Sequence, residues 1–74
     1  MKVDIHNKPQ GSFQSALSET RKGDEIIYHI GPYCAGHHKG EAMWAYGHGY
    51  AQLVQRKITP RIFEYIAQRT AKRF

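Results

Sequence analysis

Cysteine is nearly absent from this chain: Cys34 is the single one in 74 residues, so no internal disulfide staples it. A small secreted domain usually needs such staples, so the composition favours a reducing cytoplasm. Long apolar runs are missing as well. None approaches the roughly 20 residues of a membrane-spanning helix, and the polar stretch from Met1 to Gly11 lacks the apolar core of a secretory leader. There is no internal repeat and no low-complexity segment. The length suits one domain and excludes two. A chain this short buries only about 60% of the surface its unfolded form exposes, which leaves a thin core. The apolar share of 41% is nevertheless ordinary for a folded protein.

Acidic residues are scarce in one region in particular. From Met1 to Ala51, Lys2, Lys8, Arg21, Lys22 and Lys39 balance Asp4, Glu19, Asp24, Glu25 and Glu41. From Gln52 to Phe74, Arg56, Lys57, Arg61, Arg69, Lys72 and Arg73 face Glu64 alone, so the whole net charge of +5 belongs to the last third. Such segregation points to a negative partner, either nucleic acid or an acidic protein patch, or else to a basic surface that only aids solubility.

What is present reads as alternating helix and strand. Residues 1–10 form a polar arm, with a short edge strand at Lys2 to Ile5, ending at the Pro9-Gln10-Gly11 break. Ser12 suits a helix N-cap, Phe13, Ala16, Leu17 and Thr20 follow at helical spacing, Arg21 and Lys22 suit the negative end of the helix, and Gly23 fits its left-handed stop. Asp24 to Ile30 alternates as a strand with two fairly apolar faces, closed by Gly31-Pro32. After a loop to Lys39, a second helix is expected over residues 40–50. Met43, Tyr46 and Tyr50 share its core stripe with Gly47, and Trp44 and His48 lie on a neighbouring one. Leu53 to Ile58 and Ile62 to Arg69 read as a hairpin turned at Thr59-Pro60-Arg61, and residues 70–74 as a basic tail. The expectation is a small α+β domain over residues 11–69: helix, strand, helix and C-terminal hairpin, a reduced winged-helix-like order.

Three constellations bear on function. The first is the basic hairpin: Arg56, Lys57 and Arg61 around the turn, with Arg69, Lys72 and Arg73 at the far end. Guanidinium groups there suit bidentate bonds to phosphates, although cations also protect a sheet edge from unwanted pairing. The second is the ring-rich segment from His29 to Tyr50, where Trp44 suits base stacking or an interface, and Lys39 adds a phosphate contact near a helix start. Lys2 and Lys8 extend the basic surface into the arm. The third is Cys34, His37, His38 and His48, a C-x2-H-H-x9-H set. Its spacing does not match structural zinc sites, and adjacent histidines point apart, so no metal or other cofactor is expected. No group is placed to orient a base toward Cys34, so neither catalysis nor a small-molecule substrate is expected.

The segments GDEIIYHIG (Gly23 to Gly31) and LVQRKITPRIFEYIAQR (Leu53 to Arg69) resemble a pattern in small tailed-phage accessory proteins. There a "YH-x-G" strand precedes a helix and an "L-x-Q-R … F-x-Y-x-A-x-R" hairpin. The resemblance implies a phage-encoded regulator of transcription in the host bacterial cytoplasm. It would bind host machinery such as RNA polymerase, to inhibit it or alter termination, and/or nucleic acid. The alternative is a winged-helix-like DNA-binding protein without a host protein partner.

Overall fold

The structure, a computed structural model, describes residues 2–74. Met1, the first residue of the expected arm, lies outside the described residues. The elements run β1 (Lys2–Asp4), α1 (Ser12–Glu19), β2 (Glu25–Gly31), α2 (His38–Gly47), β3 (Ala51–Thr59) and β4 (Ile62–Arg69). The strands form one mixed sheet in the order β1-β2-β4-β3, with β1 parallel to β2 and both other pairings antiparallel. The short edge strand expected at the start of the arm is β1, Ile5 just beyond it is buried, and residues 6–10 lie outside the sheet. Among the described residues there are two helices, so the further helix of a winged-helix order is not present.

Two crossovers explain the layering. The β1-α1-β2 and β2-α2-β3 connections each join parallel strands and step across the sheet in the same direction. A right-handed crossover therefore places both helices on one face. Both helices pack on β2, and they touch each other. Between the layers lie Phe13, Leu17, Ile26, Tyr28, Tyr65 and Ala67, with Phe13 edge-on to Tyr28 at 6.1 Å.

The helix ends differ from the expected ones. Gly11, at φ 97°, occupies the N-cap of α1 in place of Ser12, and its carbonyl accepts from the Ser15 amide at 3.3 Å. That helix stops at Glu19 because Thr20 is extended, so Arg21 and Lys22 lie beyond it. The second helix starts at His38 and ends at Gly47, short of the expected Tyr50. Gly49, at φ 82°, donates to the Tyr46 carbonyl, while Tyr50 donates to that of Ala45. These two bonds form a Schellman stop, which needs a residue free to adopt positive φ.

The larger correction concerns which face of α2 is buried. Ala42 and Ala45 are fully buried, whereas Met43 and Tyr46, expected in the core, are each 53% exposed. Alanine on the inner face lets the helix axis approach the sheet closely, and the large side chains are turned outward. Open space around the Gly40 and Gly47 positions fits the same orientation.

Among the described residues no helix covers the opposite sheet face, yet Ile27 and Ile66 on it are buried. Their shield is a polar strap. Arg56 on β3 binds the Glu25 carboxylate at 3.1 Å and lies 3.5 Å from Glu64. Glu64 is its direct neighbour on β4, but Glu25 pairs with Gln68 on the far side. Reaching it takes the arginine diagonally across β4 at the level of Ile66.

Core substitution tests the orientation of α2. Ala45→Leu is expected to cost about 1–3 kcal/mol through overpacking, whereas Met43→Ser and Tyr46→Ser should each stay within about 0.5 kcal/mol. Urea unfolding midpoints of the three variants check this, and the reverse ranking would show that α2 faces the other way.

Candidate nucleic-acid interface

The fold sorts the cations into three situations. Arg69, expected among the binding residues, is 5% exposed and belongs to the scaffold. Its Nη1 donates to the carbonyls of Leu17 and Thr20 and to the Thr20 hydroxyl. Its Nε donates to the Tyr50 carbonyl at 3.2 Å, and its Nη2 to that of Lys72 at 3.0 Å. Arg56 is the second departure, because its strap to Glu25 and Glu64 sets one positive charge against two negative ones. It is not a free phosphate ligand.

Lys57 and Arg61 remain at the exposed tip of the β3–β4 hairpin, as expected. The tip extends past β2, whose last partner on β4 is Phe63. Pro60 and Arg61 make the turn, and the Thr59 hydroxyl accepts from the amides of Arg61 and Ile62. Lys2, Lys8 and Lys39 are exposed but belong to other parts of the surface. The Lys8 carbonyl is the meeting point of His37 and His38, whose Nε2 atoms lie 3.0 and 3.2 Å from it. His48 sits beyond the other end of α2, so the Cys34–His48 ligand set is not assembled. No cluster of three or more His, Cys, Asp or Glu forms among the described residues. Burial pushes the Tyr28 hydroxyl well above the ordinary phenol range, with neighbouring Cys34 adding to the shift, so this phenol stays protonated.

The third group was only half expected. A groove of about 540 Å³ runs between residues 17–22 and residues 69–74. Arg21, Lys22, Lys72 and Arg73 line it, Arg69 is buried within it, and no aspartate or glutamate side chain is among its lining residues. Backbone bonds of β4 hold one wall in place: the Arg69 carbonyl accepts from Gly23 at 3.0 Å, and its amide donates to Asp24 at 2.8 Å. The other wall is the tail. It is folded back: the Thr70 amide donates to the Tyr50 carbonyl, its hydroxyl to that of Gly49, and the Lys72 ammonium to that of His48. Sequence spacing had assigned Arg21 and Lys22 to the end of α1. Nothing in it signals that a strand end would bring them beside Arg73.

The groove borders an aromatic cluster. Phe74, in the groove wall, packs edge-on against Trp44 at 6.0 Å and Tyr50 at 5.4 Å. Trp44 also meets His48 at 4.6 Å and Tyr50 at 5.6 Å, and Lys72 Nζ lies 4.9 Å above the Tyr50 ring. Trp44 and Phe74 stay 41% and 47% exposed, so the cluster is an open surface and not a second core. Trp44, Lys72 and Arg73 are legible in the sequence as site residues, whereas Phe74, Arg21 and Lys22 join the site only through the fold. The groove and hairpin tip lie at opposite ends of β4, roughly 26 Å apart at about 3.3 Å per residue.

No helix among the described residues is long and apolar enough to cross a membrane. No protein-family model, curated protein or solved structure matches the chain.

Replacing the Arg69 fork tests its scaffold role. Arg69→Lys keeps the charge but has three donors in place of five, and should cost about 2 kcal/mol. Urea unfolding measures it. A loss below about 0.5 kcal/mol, the level of an ordinary surface change, would show that these hydrogen bonds contribute little.

Proposed function

We propose that this protein is a non-enzymatic nucleic-acid-binding regulator whose principal contact is the groove between the 20–22 turn and the tail. The observation that carries the reading is the convergence of Arg21, Lys22, Lys72 and Arg73 on one groove lined by no acidic side chain. Cations so gathered raise the local potential and attract a polyanion. Phosphates entering there release counterions, which is the main source of sequence-independent affinity. Lys57 and Arg61 at the hairpin tip supply a second, remote contact on a long ligand. Acting in a host bacterial cytoplasm on a transcription complex is the setting that the phage-type resemblance implies.

A second reading has its own support. Met43 and Tyr46 project from α2, and Tyr33 is 70% exposed, which suits the rim or core of a protein interface. In this version a host protein such as RNA polymerase is the partner and the groove reaches nucleic acid held nearby.

Salt titrations separate the two. Under the first reading the isolated protein binds DNA or RNA in a mobility-shift assay at low salt, and Arg21→Ala or Arg73→Ala each lowers the log–log salt slope by about one. Absence of any shift at low salt would sink direct binding. Under the second, immobilised protein retains purified bacterial RNA polymerase, and Met43→Ser with Tyr46→Ser abolishes retention.

A further inference from the structure

We infer that the ligand of this surface is a single strand, its phosphates in the groove and its bases on the rings of Trp44 and Phe74. This rests on the groove being a nucleic-acid site and names the form it takes. Phe74 belongs both to the groove wall and to the aromatic cluster, and Lys72 lines the groove while lying over Tyr50. A chain of phosphates following the cations therefore passes directly beside exposed aromatic surface.

Aromatic surface is of little use to a duplex, whose bases are stacked on one another and turned inward. A strand with free bases gains by stacking on a ring, whatever its sequence, and a neighbouring cation holds its backbone. The core does not require these rings. The inner face of α2 is closed by Ala42 and Ala45, and Trp44 packs outside it against His48, Tyr50 and Phe74. Two ends of the surface then have separate duties: cations give affinity and salt dependence, and rings discriminate between strand and duplex.

Trp44 is the only tryptophan in the chain, so its emission reports on this site alone. The test titrates the full chain at low salt with twelve-nucleotide oligo-dT, with oligo-U of the same length, and with a twelve-base-pair duplex. Oligo-dT, oligo-U or both should quench Trp44, while the duplex binds at least about tenfold more weakly and leaves the emission unchanged. Trp44→Ala should weaken strand binding roughly 5- to 140-fold, the equivalent of one lost base–ring stack. Trp44→Tyr keeps a ring to anchor the tail and should retain most of the affinity. If the duplex binds as tightly as both strands without quenching, the single-strand assignment is overturned while the basic groove stands. If no polynucleotide binds, the groove reading falls with it. If Trp44→Tyr loses as much as Trp44→Ala, stacking is not the source of affinity.

Discussion

The guanidinium of Arg69 is the constraint on which the other parts depend. It is a buried cation whose partners are four carbonyl oxygens and a hydroxyl, with no carboxylate in the set. Carbonyls at the end of α1 carry the negative pole of that helix, so they stabilise the charge as well as accept its protons. The same residue reaches the α2–β3 connection through Tyr50 and the tail through Lys72, while its backbone is bonded to Gly23 and Asp24. The end of α1, the α2–β3 connection and the tail meet at one planar fork, and the backbone of the same residue adds the turn before β2. A neutral side chain there would orphan buried carbonyls at a cost a domain this small bears poorly.

The second organising choice is the use of alanine beneath α2. Close helix–sheet approach is one way to fill a core when only 74 residues are available. It also frees the large side chains of α2 for the surface, where Met43, Trp44 and Tyr46 now stand. On the other sheet face, where no helix packs, the Arg56 strap does the covering that an apolar layer would do in a larger protein. One arginine of the basic hairpin thus serves as a cover and another as a clasp, and the charge left for a partner is smaller than the count of cations suggests.

Much of the fold was legible because it rests on local periodicity. Alternation marked β2 and β4, Pro60 marked the hairpin turn, and the small α+β class followed from their order. Three features were hidden because they depend on distant contacts. Three residues of β1 have no pattern long enough to announce parallel pairing with β2. In α2 the large side chains of Met43, Tyr46 and Tyr50 offer more area to bury than Ala42 and Ala45, although fit to the sheet favours the smaller residues. Arg69 falls on the same face of β4 as Tyr65 and Ala67, but a charge at a strand end reads as solvent-facing, and the carbonyls that receive it there belong to other elements. The candidate site shared that fate. Its tail and tryptophan were visible as basic and aromatic, but their meeting with Arg21 and Lys22 required the sheet to bring residues 20–22 and 70–74 together.

The two walls of the groove are not held alike. Residues 20–22 are bracketed by a helix end and a strand end, and both are locked to β4 by backbone and guanidinium bonds. The tail is held by a few bonds through Thr70 and Lys72 and by edge contacts of Phe74. Local opening draws on such lightly bonded segments long before the sheet gives way. The groove therefore has a fixed jaw and a sprung one. The distance between them is set by the tail, because only that wall can yield before the sheet does.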